Sequence, residues 1–328
     1  MEAVNFEQSD MAVMSVASKQ PESSSKSFIE ANTVSCSLEE IKDQHIIPVF
    51  VKDNEPVVSH HDFIRSAWEV VKEYFDGEQI YSPTIRLSHP IKGRIPEAKN
   101  KPAFELLEHE KTLYYERMAF IIEIPSIREQ IDKNFLSLCV GGVKSYHLDN
   151  LNGRKGTDEH FKIFIGYQNK VCTNLCVWSD GYVGDVRVSN QAQLVGAMRT
   201  MVENYNASFQ ISEMRQLCQH SITEKQFAHL IGRTRLYQFL PPEAKKHIPH
   251  LLLGDNQIGT ICRDYYRDAS FCKDERGDIN LWKLYNLFTG ANKSSYIDSF
   301  LERGIDAYRF VEQLRLAIEG QTSNWYLD

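Results

Sequence analysis

The pattern of apolar positions changes period part-way along this chain, and that change predicts the architecture. Ile46 to Val51 reads as a short strand, followed by a turn at Asn54-Glu55-Pro56. From Ser59 the period lengthens: Phe63, Ile64, Ala67, Trp68, Val70, Val71, Tyr74 and Phe75 fall on one helical face. Ser59 with Asp62 predicts a capping box, and Gly77 suits the far end. The middle of the chain reads as strands. Tyr114, Met118, Phe120, Ile122 and Ile124 alternate with Tyr115, Arg117, Ala119, Ile121 and Glu123. A polar connection over 126–134 leads into Phe135 to Val140, where Gly141-Gly142 predicts a bulge or a close backbone approach. Strands over 161–167, 171–178 and 183–188 then form a meander. Its turns fall at Gln168-Asn169-Lys170 and Ser179-Asp180-Gly181.

After residue 190 the period is helical. Asn190 with Gln193 predicts a cap for a helix through Leu194, Val195, Met198, Met201, Val202 and Tyr205. Ser221 with Glu224 predicts a second cap, its helix closed by Pro241-Pro242. Ser295 with Asp298 opens a last helix through Ile297, Leu301, Ile305, Tyr308, Val311 and Leu314. Strands first and helices later predict an α+β fold built on an antiparallel sheet. The expected divisions are a mainly β region over 41–190 and a helical region over 191–328, packed on the sheet as one domain.

Residues 1–40 break the pattern. Nine are serine, and seven acids stand against Lys19 and Lys26. The segment reads as a disordered acidic tail that buries too little apolar surface to order itself. The net charge of the chain is −7, but outside this tail 35 basic side chains nearly balance 37 acidic ones. An overall basic footprint for nucleic acid is therefore absent, and only a local one remains open. The acidic start Met1-Glu2-Ala3 and the lack of a run of about 18 apolar residues predict a cytoplasmic protein with no membrane span. Seven scattered cysteines read as small buried side chains. Cys172 and Cys176, four apart in an expected strand, would lie about 13 Å apart, too far for a shared metal or a disulfide. Cys262 and Cys272 could meet across a loop, but no second pair with zinc-ligand spacing accompanies them.

The strong catalytic signatures are missing, so neither a catalytic set nor a metal or cofactor is expected. Gly153-Arg154-Lys155-Gly156 lacks the spacing of a phosphate cradle and reads as a loop. Glu108-His109-Glu110 and Asp158-Glu159-His160 read as solvated surface, since adjacent residues face different directions. Asn174, Trp178, Asn280, Trp282, Asn286 and Asn292 read as structural. The most suggestive stretch runs from Thr84 to Lys101, where Arg86, Lys92, Arg94, Lys99 and Lys101 face a single acid, Glu97. Tyr81, Tyr114 and Tyr115 lie nearby as stacking faces. Arg233 and Arg235, then Arg263 and Arg267 around Tyr265-Tyr266, add cations among aromatics. Such segments track a phosphate backbone and stack bases, so single-stranded nucleic acid is the expected partner. A competing expectation is a magnesium-dependent nuclease using Asp76, Glu97 and Lys99, although Glu40-Ile41-Lys42 repeats the same Glu-x-Lys spacing. A third is a protein-interaction module that uses the acidic tail.

Several segments carry a family resemblance: Ser88 to Ala98, Glu159 to Lys162, Asn169 to Leu175, Cys262 to Tyr266, Asn280 to Lys293, and Thr322 to Trp325. Over residues 45–328 the chain resembles a family of unknown function from gut anaerobes of the Bacteroidales type, often carried on plasmids and integrative elements. It is also distantly similar to phage/plasmid-like proteins, which share a strand like Cys172-Thr173-Asn174-Leu175 and a late helix like Tyr285-Asn286. The resemblance implies a mobile-element setting and carries no catalytic residue set.

Overall fold

The computed structural model describes residues 27–44, 58–94, 96–98, 101–150 and 158–328. Its frame is a six-stranded antiparallel sheet in the order β1-β2-β5-β6-β7-β8. The strands are β1 (Thr33–Cys36), β2 (Thr84–Ser88), β5 (Arg117–Ile131), β6 (Asn134–Ser145), β7 (Glu159–Asn169) and β8 (Leu175–Val188). Between β2 and β5 the chain makes a separate two-stranded ribbon, β3 (Pro90–Arg94) with β4 (Lys111–Tyr115). The predicted α+β order holds: most of the helical residues follow the sheet.

One face of the sheet presents Ile85, Phe120, Ile122, Leu138, Val140, Phe161 and Ile163. Against it packs α2 (His60–Tyr74), which begins at the predicted capping box: the Ser59 hydroxyl accepts from Asp62 N, and the Asp62 carboxylate accepts from Ser59 N. A shorter helix, α1 (Leu38–Gln44), precedes it. The other face presents Ala119, Ile121, Cys139, Val143, Phe164 and Val177 under Phe28, Ile29 and the first turns of the last helix. With both faces covered, the central strands are buried on both sides, so alternation in the apolar pattern fades. Gly141 and Gly142 mark a close approach, as expected. A Cβ on Gly141 would overlap the Phe120 carbonyl oxygen and the Phe164 ring, and one on Gly142 would lie 2.8 Å from the Lys162 carbonyl oxygen.

The helical part follows α3 (Tyr146–Asn150) and the last two strands. It comprises α4 (Gln191–Asn204), α5 (Ala207–Gln216), α6 (Glu224–Tyr237), α7 (Pro242–Lys245), α8 (Asp255–Arg267), α9 (Leu281–Asn292) and α10 (Ile297–Ile318). Asn190 caps α4 as expected. A small ladder, β9 (Ser221–Ile222) with β10 (Ile279–Asn280), ties the start of α6 to the start of α9.

Several expectations need correction. Part of the segment assigned to a disordered tail is built into the fold: Phe28 and Ile29 are buried and β1 extends the sheet, because even a serine-rich stretch orders when its few apolar residues reach a core. The strand expected at 46–51 and the loop Gly153-Arg154-Lys155-Gly156 lie outside the described residues. The polar stretch 126–134 is not a connection; β5 runs on to Ile131 and turns at Asp132, whose φ is 52°. Strands expected at 171–178 and 183–188 are one strand, β8, and Ser179-Asp180-Gly181 bulge out between the pairs Gly166–Val177 and Phe164–Tyr182. Cys172 sits in the turn before β8, so the spacing argument for Cys172 and Cys176 loses its basis; both are free thiols, as are Cys262 and Cys272. Thr223, not Ser221, caps α6. Tyr296 occupies the N-cap of α10, while the Ser295 hydroxyl bonds Asn292 instead. Among the described residues, no helix is long and apolar enough to cross a membrane.

Gly141→Ala should lower the unfolding free energy by about 3 kcal/mol, since backbone and ring must both move to admit the methyl. Urea titration of the two proteins measures it; an unchanged midpoint would contradict the close packing of β5, β6 and β7.

Candidate nucleic-acid interface

The cations expected between 84 and 101 do not form one surface. Arg86 lies on β2 and turns inward: its Nε donates to the Thr33 hydroxyl at 3.0 Å and its Nη2 to the Thr33 carbonyl at 2.7 Å. Burial pushes its pKa down. Lys92 and Arg94 lie on β3, where Lys92 is in register with Leu113 and Arg94 with Lys111. Lys99 lies outside the described residues. Lys101 is bound to Glu110 at 2.5 Å, and that contact holds the Glu110 carboxyl below its ordinary range. Lys111 is likewise engaged by Glu108, so the two 3-10-turn carboxylates Glu108 and Glu110 each hold one cation of this stretch. Over 90–115 the sequence has five basic side chains and four acids.

Of the nuclease set, Lys99 lies outside the described residues, and Asp76 and Glu97 stand on separate stretches of the fold. Asp76 follows α2 in a turn that joins the sheet near Glu123 and Ser126, where Tyr81 N bonds the Glu123 carbonyl and Gln79 N the Ser126 hydroxyl. Glu97 follows β3, past the Arg94–Lys111 pair. The ladder from Thr84–Ile121 to Arg94–Lys111 separates the two. Among the described residues, no group of three or more His, Cys, Asp or Glu side chains is placed to hold a metal.

The arginines of the helical part are better placed. α6 and α8 pack side by side, with Phe227 stacked on Tyr265 at 3.9 Å and the Tyr266 hydroxyl donating to Glu224. Arg235, on the exposed side of α6, reaches Asp255 at only 3.8 Å. Arg233 lies over the Trp325 ring at 4.6 Å and donates to His229. Arg263 is held by Asp264 at 2.7 Å, and Arg267 is exposed at the end of α8. Where α6 ends, Phe239 is 83% exposed and Leu236 59%. Just beyond, Lys245 donates to the Gln238 carbonyl at 3.1 Å and Lys246 pairs with Glu243 at 2.8 Å. From 225 to 250 there are five Lys and Arg, with His229, His247 and His250, against Glu243 alone. Sequence reasoning singled out Arg233 and Arg235 but missed Phe239, Lys245 and Lys246. An apolar residue at a helix end reads as core until its exposure is known.

A second arrangement was also missed. Lys144, fully buried at the end of β6, binds Glu159 at 2.5 Å and lies 3.6 Å from Asp149, with its ammonium 4.0 Å from the centre of the Phe161 ring. Glu159 also accepts from Val58 N at 2.8 Å. The Asp158-Glu159-His160 triplet is thus not solvated surface, because strand β7 turns Glu159 into the interior. The asparagines read as structural are structural. Asn174 Nδ2 donates to the Asn286 carbonyl at 2.9 Å, Asn169 Nδ2 to Asn286 Oδ1 at 3.2 Å, and Asn286 Nδ2 to the Trp282 carbonyl at 2.9 Å. These bonds join the β7–β8 turn to α9.

The model of one family, described as "Domain of unknown function, B. Theta Gene description (DUF3871)", matches residues 6–327. The chain belongs to this family. Its span includes most of the N-terminal segment that the sequence resemblance left out. No curated protein and no solved structure matched the chain.

Removing one partner of the buried pair tests its role. Glu159→Ala should cost about 3–5 kcal/mol of stability by leaving the buried Lys144 ammonium only Asp149, at 3.6 Å, and Val58 N without its acceptor. Lys144→Met combined with Glu159→Leu should cost much less. Equal losses in the single and double variants, measured by chemical denaturation, would contradict a buried charge pair.

Proposed function

We propose that this protein binds single-stranded nucleic acid, without cutting it, on the surface where α6 ends and α7 begins. The exposure of Phe239 among cations carries this reading. A large ring left in water on the segment that carries Arg235, Lys245 and Lys246 offers a base-stacking face, and a phosphate would compete with Asp255 and Glu243 for two of those cations. Stacking of this kind tolerates any base, which suits a site without the paired donors and acceptors of groove readout. Arg233 contributes less, because Trp325 and His229 already engage it. Arg267 extends the cationic surface at the end of α8, Arg263 contributes less because Asp264 holds it, and Lys92 and Arg94 add a smaller share on the β3–β4 ribbon. An accessory role on a mobile element, implied by the sequence resemblance, belongs to the same proposal.

The test is an anisotropy titration of the full chain against labelled oligothymidylate and a duplex of equal length, at two salt concentrations, with and without magnesium. Tighter, salt-sensitive binding of the single strand is expected. Phe239→Ala should weaken it by roughly five- to hundredfold through the lost stacking. Arg235→Glu with Lys246→Glu should reduce the salt slope by about 0.7 for each lost phosphate contact. Wild-type affinity in both variants would remove this site, and no binding at low salt would remove the reading. Cleavage that appears only with magnesium would put the nuclease reading ahead.

A further inference from the structure

We infer that the cleft at the root of the β3–β4 ribbon receives one unstacked base of the bound strand, an inference that rests on the single-strand reading and deepens it. The cleft has a volume of about 220 Å³ and lies between residues 31–33, the ends of β2 and β5, and the start of α10. It is smaller than the roughly 300–1,000 Å³ of sites for drug-sized ligands. One flat ring system fits such a space; a run of nucleotides does not.

The lining chooses among ligands. Tyr296 stands at the cleft with 67% of its surface exposed, although it caps the longest described helix and no side chain caps it in return. A tyrosine so placed gives a base a stacking face. The charge in the cleft is already balanced by its own carboxylates. Arg117 Nε meets Asp298 at 3.2 Å, and its Nη1 meets Glu116 at 3.1 Å. Two acids around one guanidinium disfavour a phosphate and leave a neutral base acceptable. Asn32, held in a left-handed turn at φ 27°, and the Thr33 hydroxyl lie at the same wall and provide groups for a base edge. The Thr33 oxygen accepts from Arg86 Nε at 3.0 Å, which leaves its own proton to donate.

The cleft is joined to the basic surface through one turn of α8. Asp255, the first residue of that helix, meets Arg235 at 3.8 Å and accepts from Gln238 at 3.2 Å. Gln257, two residues on, donates to the Ser295 hydroxyl at 3.3 Å, next to Tyr296 in the chain. On the other side, Ser88 and His89 lead directly into the ribbon strand that bears Lys92 and Arg94. A strand bound on the α6–α7 surface and extended past the start of α8 would bring a base to the cleft.

The experiment uses the full chain and a set of oligothymidylates, each with a single 2-aminopurine at a different position. A position-specific fluorescence change is expected on binding. Tyr296→Ala should abolish it and weaken affinity by roughly five- to hundredfold, while the salt slope stays at the wild-type value, because Tyr296 neutralises no phosphate. Tyr296→Trp should restore both the signal and the affinity. Thermal melts of both variants, at this exposed position, separate binding from folding. Salt-sensitive binding by the wild type together with an unaltered Tyr296→Ala would overturn the cleft and spare the single-strand reading. No binding of any oligothymidylate by the wild type would overturn both.

Discussion

The rest of the molecule depends on a buried polar clamp between the β7–β8 turn and α9. Thr173, at φ 59°, holds that turn in a left-handed conformation, and Asn169 satisfies the turn amides through Val171 N at 3.0 Å. Asn286 then closes the join across to α9. Buried amides without partners are costly, so a turn that requires these bonds can dock only where α9 supplies them. Lys293, at the end of α9, reaches the Cys172 carbonyl and the Thr173 hydroxyl, and its own carbonyl accepts from Glu30 N at 2.8 Å and Ala31 N at 3.1 Å. One cluster thus fixes the sheet, the helical part and the N-terminal segment against each other.

Position follows from that clamp. Asn292 Nδ2 bonds the Phe300 carbonyl at 2.8 Å, and Ser295 bonds Asn292 at 2.8 Å, which sets where α10 begins. Ser295 in turn receives Gln257 of α8 and Arg303 of α10. The same few polar groups therefore place Tyr296, residues 31–33 and the first turn of α8, which are the walls of the cleft and its border with the basic surface. A site assembled from three distant stretches of chain stays in register only if a rigid, specific contact ties them, and apolar packing is less exacting about geometry.

Element type was largely legible in the sequence. The Ser59–Asp62 box and the Asn190 cap are local signals, and local chemistry decided both helix starts. Where the signal was local but the decision was tertiary, the reading slipped. Ser179-Asp180-Gly181 is composed like a turn, yet pairing with β7 on both sides keeps the chain in one strand and forces a bulge. Phe28 and Ile29 are two apolar residues in a polar stretch, too few to announce order by themselves. Of the candidate interface, composition could reveal cations but not their partners. Arg86 and Lys101 look available in sequence, and each is taken by a residue that folds back from elsewhere, Thr33 in one case and Glu110 in the other.

That difference also bears on why the proposed binding surface lies on the helices rather than on the ribbon. A β-ribbon brings its two strands together side by side, so Arg94 lies opposite Lys111 in the ladder, while Glu108 and Glu110, just before β4, engage Lys111 and Lys101. A helix shows its exposed residues to solvent at separations set by its own period, so opposite charges meet either three or four residues apart along it or from a packed partner. Along α6 and α7 that partner is α8, and its first acid, Asp255, lies 3.8 Å from Arg235. Lys246 is engaged there by Glu243 at 2.8 Å and Lys245 by the Gln238 carbonyl at 3.1 Å, and the chain breaks at Pro241-Pro242 just beyond Phe239, leaving the ring in water. Exposed aromatic surface and a cluster of cations then coincide because a helix stops, a feature that period and composition alone do not record.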